Sequence, residues 1–152
     1  MSSLYLILKY VHILSAIVAV GLNVSYTAWI IRAQRDGAHT GFALKGIKFL
    51  DDRIANPAYG LVLLSGLAMM FAGGYGLTTL WLDVAVALFV VMVVIAAAFY
   101  SPSLCDQVRL VEAGDTTSAE FARLGRRGQM FGMAIGVIVL VILGLMVFQP
   151  HT

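Results

Sequence analysis

Apolar residues fall into four long runs along the chain, and nearly all the charged residues lie between them. The runs cover Leu4–Ile31, Pro57–Gly76, Leu80–Tyr100 and Gly128–Phe148. Each is close to the roughly 20 residues that an α-helix needs to cross a hydrocarbon core of ~30 Å. No stretch alternates with the period of a strand, so the runs predict helices and not the staves of a barrel. The pattern predicts an all-α protein, a four-helix transmembrane bundle forming one domain over residues 1–152. The first run is too long for a signal peptide and lacks a small-residue cleavage site after a short apolar core. The first helix is therefore expected to stay in the mature protein.

Composition turns this pattern into a statement about solvent. The chain is 61% hydrophobic and 12% charged, with a mean hydropathy of +0.92, whereas soluble domains are about a quarter charged. A water-soluble chain of 152 residues has too little interior to hide so much apolar surface. The lipid bilayer is the expected partner, in a multi-pass protein of a bacterial inner membrane. The net charge of +2 calls for no nucleic acid.

The basic residues orient the bundle. Arg32, Arg35, Lys45, Lys48 and Arg53 follow the first run, and Arg109, Arg123, Arg126 and Arg127 follow the third. The link GGYGLTTL has no Lys or Arg. By the positive-inside rule, residues 33–55 and 102–127 face the cytoplasm and both termini lie outside. Both connections read as amphipathic. Phe42, Ile47, Phe49 and Leu50 among basic residues predict a segment lying at the headgroups. Leu104, Val108 and Val111 predict a short helix that stops at Gly114. Thr117 with Glu120 reads as a capping box for the helix that follows. Cys105, the single cysteine, falls on the cytoplasmic side as a reduced thiol.

The first run, KYVHILSAIVAVGLNVSYTAWIIR in its main part, is unusual in carrying polar residues. On a helical wheel of about 100° per residue, Lys9, His12, Ser15, Ala16, Ala19, Asn23, Tyr26 and Thr27 fall within about 60° of His12. Leu14, Ile17, Val24 and Ala28 occupy the opposite side. A polar stripe in hydrocarbon must face protein or water. Asn23 and Tyr26 read first as interhelical hydrogen-bonding residues, and Lys9 as a side chain that snorkels. His12 is the candidate ligand, because an intramembrane imidazole suits metal or haem chemistry as well as packing. His39 lies in a loop and His151 in the tail, away from this stripe.

Several motifs carry a family resemblance. These are K-x-x-H at Lys9–His12, R-x-x-x-P at Arg53–Pro57, Ser65-Gly66 with Met69, and Trp81-Leu82 opening the third run. Together they resemble a group of bacterial four-helix membrane proteins. The group contains HemJ-type protoporphyrinogen oxidases, the membrane part of copper-resistance D-type proteins, and an uncharacterised integral-membrane domain family to which the likeness is greatest. The HemJ resemblance implies haem b held by His12, and a lysine soon after Trp-Leu. Here Asp83 follows and no lysine does. The copper-resistance proteins' exposed Met- or His-rich cluster is also missing. One cysteine and three histidines make a poor zinc set. A His/Met pair remains open to haem. His12 lies about 12 Å from Leu4 and Met70 about 9 Å from Gly76 along their helices, so Met69 or Met70 is at comparable depth.

Other residues read as packing. Gly128, Gly132 and Gly136, four apart, predict close helix contact within the bundle, in a homo-oligomer or with a partner in a membrane complex. Asn23, Tyr26, Asn56, Tyr59 and Tyr100 fall at similar depth, as a hydrogen-bonded plug or a small polar site. Asp83 is positioned to pair with Lys9. No hydrolase triad, phosphate loop or paired intramembrane carboxylates are present, and the broken helices of transporters are missing. Two readings stay open: a haem-binding or redox-associated protein built on His12, and a non-catalytic accessory or scaffold subunit. The orientation is directly testable. Cys105 should resist membrane-impermeant thiol reagents in intact cells, and efficient labelling from outside would reverse the topology.

Overall fold

The computed structural model describes residues 3–35, 37–73 and 79–150. The second run's predicted end at Gly76, and His151, lie outside them. The helices are α1 (Ser3–Arg35), α2 (Thr40–Leu50), α3 (Asn56–Gly73), α4 (Leu80–Ile95), α5 (Ser101–Glu112) and α6 (Ala119–Phe148). Four helical stretches are long and apolar enough to cross a membrane: Ser3–Ala33, Gly37–Gly73, Leu80–Glu112 and Ala119–Phe148. The all-α, four-span architecture is thus present.

These stretches are longer than a bilayer requires. The 33 residues of α1 extend about 50 Å at 1.5 Å each, against ~30 Å of hydrocarbon. At the end of the bundle that carries the basic residues, shorter helices extend the long ones. There α2 runs into α3 through a π-helical turn, Asp51–Ala55, in which Asn56 N–H donates to Asp51 O. A second such turn, Ala96–Tyr100, joins α4 to α5, with Ser101 N–H donating to Ala96 O.

Helix α1 packs along α3 and α2, while α6 packs along α4 and α5. No Cα of α1 comes within 8 Å of α4, nor any of α3 within 8 Å of α4. The two halves meet instead where α2 packs on α5 and α1 touches α6. At the basic end, Tyr26, Leu44, Ile47 and Leu104 form a core cluster, with Tyr100 and Phe121 packed against it. Further along, Met92, Ile135 and Val139 take Val20, Tyr59 and Phe89. Tyr59 meets Phe89 edge-on at 6.3 Å between ring centroids. Tyr100 touches both clusters.

Two local expectations change. Ile47, grouped with Phe42 and Phe49 as headgroup-facing, is only 2% exposed, whereas those two phenylalanines stay open. The reason is that α2 turns Leu44 and Ile47 onto Tyr26 and Leu104. The α6 cap is Ser118 and not Thr117: Phe121 N–H donates to Ser118 Oγ at 3.1 Å, while Glu120 pairs with Arg123. Asp115 takes the N–H groups of Thr117 and Ser118, and these bonds hold its carboxyl below the usual range. The stop at Gly114 holds, with φ +80°. Gly114 N–H reaches Val111 O and Asp115 N–H reaches Leu110 O, so the last carbonyls of α5 are satisfied.

The glycines of α6 differ among themselves. A Cβ on Gly132 would lie 3.5 Å from the Tyr100 ring, while one on Gly128 or Gly136 would meet nothing within 4 Å. Gly132→Leu should therefore force the Tyr100 ring aside and lower the unfolding temperature in detergent. Gly136→Leu should leave it near the wild-type value. Equal effects of the two would mean that the contact with Tyr100 carries no stability.

Candidate functional site

The polar residues of α1 gather into two places at opposite ends of the helix. Tyr26 lies 14 positions after His12, about 21 Å along the axis. Between them, Ser15 and Ala19 are buried and have small side chains, which lets α3 approach α1 closely.

The first place is the seam at His12. Its Nδ1 is 2.9 Å from Val62 O and 3.2 Å from Ser65 Oγ. A carbonyl only accepts, so Nδ1 carries the hydrogen, and the lone pair of the neutral ring sits on Nε2. Ser65 passes its own hydrogen back to Leu61 O, which leaves its oxygen free to accept from the imidazole. Gly66 makes room for the ring: a Cβ there would be 3.2 Å from His12 Cε1. Both Met69 and Met70 are half-buried. On the α3 wheel Met69 shares the face of Val62 and Ser65, about one turn away, and Met70 flanks it.

The remaining stripe residues divide. Lys9 is exposed, and no ion pair joins it to Asp83 among the described residues. The pairing expected between them is not formed, because α1 and α4 belong to different halves of the bundle. Asn23 Nδ2 donates to Ala19 O, closing a polar group on its own helix, and also to the Tyr59 hydroxyl on α3.

That second bond belongs to the other place, at the basic end. Tyr26, on α1, is 2% exposed, and its hydroxyl finds no hydrogen-bond partner. The groups acting electrostatically on it include Asp51, Tyr100 and Tyr59. Asp51 is 7% exposed, and among the described residues its carboxylate has no hydrogen bond and no ion pair. The nearby lysine, Lys48, is bound to Asp52. Asn56, expected in this group, is exposed. Each π-helical turn supplies one member: Asp51 opens the first and Tyr100 closes the second. Such turns recur at functional positions in helices.

Asp51 was absent from the sequence-derived set. The signal for it was its place four residues after Ile47 and four before Ala55, within the series Ala43, Ile47, Ala55 and Ala58, all buried. An acid in the apolar stripe of a helix stands out on that spacing. Beside this cluster, Tyr100, Leu104, Gln107, Gly125 and Gly128 help to line an apolar cavity of about 60 Å³. Among the described residues, no three His, Cys, Asp or Glu side chains come together as a metal-binding group.

Four long apolar helices with polar groups turned inward define an integral membrane protein of the four-helix class. A family model described as "Predicted integral membrane protein (DUF2269)" matches residues 6–150, and the chain belongs to that family. No curated protein and no solved structure matches it.

The seam yields a local test. Gly66→Ala should press on the His12 ring and weaken its bond to Val62, at a cost on the order of 1 kcal/mol. Gly60→Ala, with open space around it, should be neutral or mildly stabilising because alanine favours helix. Thermal unfolding in detergent separates the two, and a neutral Gly66→Ala would show that the ring is not confined.

Proposed function

We propose that this is a haem b-binding, redox-associated protein of a bacterial inner membrane, with His12 as axial ligand. One observation carries the reading: the Nδ1–H of His12 is bonded to the backbone carbonyl of Val62 on the facing helix. Such a bond fixes ring and tautomer and leaves Nε2 as the electron donor, the arrangement that tunes ligating histidines in metal sites. The donor chemistry of the site therefore fits iron. Haem, when bound, supplies one-electron transfer; the protein's part is to hold the imidazole and exclude water. Met69 is the favoured second ligand because it lies on the His12-facing side of α3, with Met70 as the alternative.

The second reading is an accessory or scaffold subunit of a membrane complex, alone or as a homo-oligomer. It is favoured by the same seam, because Val62 and Ser65 already satisfy His12 as interhelical adhesive. One experiment separates the two. The protein purified from haem-sufficient cells should show a Soret band that His12→Ala abolishes. Met69→Leu, which keeps volume, should shift the spectrum and the potential, and Met70→Leu should do so less. A colourless protein would leave the accessory reading standing.

A further inference from the structure

The polar cluster at the basic end lies about 21 Å along α1 from His12 and has no part in the haem reading. It contains a carboxylate, three phenol oxygens and a carboxamide, from Asp51, Tyr26, Tyr59, Tyr100 and Asn23. One of these groups is poorly provided for. The Tyr26 hydroxyl is wholly enclosed and unpaired, and Asp51, a residue only 7% exposed, has no hydrogen-bonded or ion-paired partner among the described residues while its carboxylate oxygens keep contact with solvent. Leaving a buried carboxylate or hydroxyl unsatisfied is costly, and proteins retain such groups chiefly where something binds.

We propose that this cluster is a binding site for a monovalent alkali cation. The donor set decides the class. All the groups offer oxygen, which suits hard cations and not the softer metals taken by histidine and cysteine. Charge decides the valence: one carboxylate and one monovalent ion make a neutral buried site, whereas a divalent ion leaves a net positive charge in the core. The positive charge of Lys48 is already engaged by Asp52. The Tyr26 hydroxyl, enclosed and without a partner, can turn a lone pair to the ion, so the ion would satisfy the one buried group that the protein leaves unmet. Tyr59 already accepts from Asn23, and its oxygen is therefore held in place.

The full-length protein in detergent, exchanged into choline chloride, provides the test. Adding NaCl or KCl at constant ionic strength and pH should raise the unfolding temperature saturably for at least one of the two ions. A rise of several degrees is expected at ~100 times the dissociation constant. Asp51→Asn should abolish the rise. Tyr26→Phe, which keeps the ring, should weaken half-saturation at least fivefold and fold as well as wild type in choline, so it decides the matter if Asp51→Asn misfolds. The rise should fade in acid, because a proton competes for Asp51. The groups facing Asp51 are Tyr26, Tyr59 and Tyr100 on the neighbouring helices, with Lys48 and Asp52 on its own. Identical curves in choline, sodium and potassium would overturn the proposal. So would a salt response that survives in Asp51→Asn and Tyr26→Phe, or a pH response with no difference among the cations, which would make Asp51 a proton site only.

Discussion

Hydrocarbon offers no hydrogen bonds, and much of this fold follows from that constraint. The inward-facing His12 and Asn23 on α1 draw their partners from within the protein, and those partners decide which helices touch. His12 is answered by the Val62 carbonyl and Asn23 by Ala19 O and the Tyr59 hydroxyl. Two of these three partners lie on α3, so satisfying α1 draws α3 along it. Small residues then allow the approach, with Ala19 fully buried in the seam and Gly66 leaving space for the imidazole. The partner pair, α4 and α6, has no such polar dependence. It is held by apolar contact around Met92, Ile135 and Val139, and by the stacked Phe99–Phe131 rings with Arg127 over them.

The halves are joined most closely at the basic end, where α2 packs on α5. A π-helical turn inserts an extra residue and rotates everything after it. The turn at Asp51–Ala55 and the turn at Ala96–Tyr100 lie where α2 meets α3 and α4 meets α5. They bring an aspartate and a tyrosine from different halves to the side chain of Tyr26. Tyr100 also packs against both apolar clusters and covers Gly132. The polar site and the joint between halves are therefore the same piece of structure, and an occupant of the site would bear on how firmly the halves are held.

What could be read in the sequence follows the same physics. Spans and helix class were legible because twenty apolar residues in a row have few other uses. The inward face of α1 was legible because regular helices keep a 100° step. The basic end was not, since α2 and α5 are short and the exposed Phe42 and Phe49 of α2 imitate a membrane-facing set. Asp51 was hidden by its neighbour Asp52 and by Arg53, which make the stretch look like a solvated loop. Only the four-residue spacing from Ile47 to Ala55 distinguishes it. The cap at Ser118 was missed by one residue because Thr117 and Ser118 are chemically interchangeable as caps, and the Asp115 turn decides between them.

Placing the two polar sites at opposite ends of α1 has an energetic consequence. His12 satisfies itself with a neutral tautomer and needs no counter-charge. Asp51, if ionised, does, and Lys48 is already held by Asp52. A buried charge at mid-membrane would carry its full desolvation cost, whereas at the basic end the positive charge of Lys48 acts on Asp51 and reduces it. The bundle thus keeps the neutral imidazole in the α1–α3 seam and the carboxylate at the basic end. The close α1–α3 packing between them, lined by Ser15 and Ala19, leaves little room for water to connect the two. The two polar places stand about 21 Å apart along α1, beyond a Debye length of about 8 Å in physiological salt, so a charge at one is felt only weakly at the other.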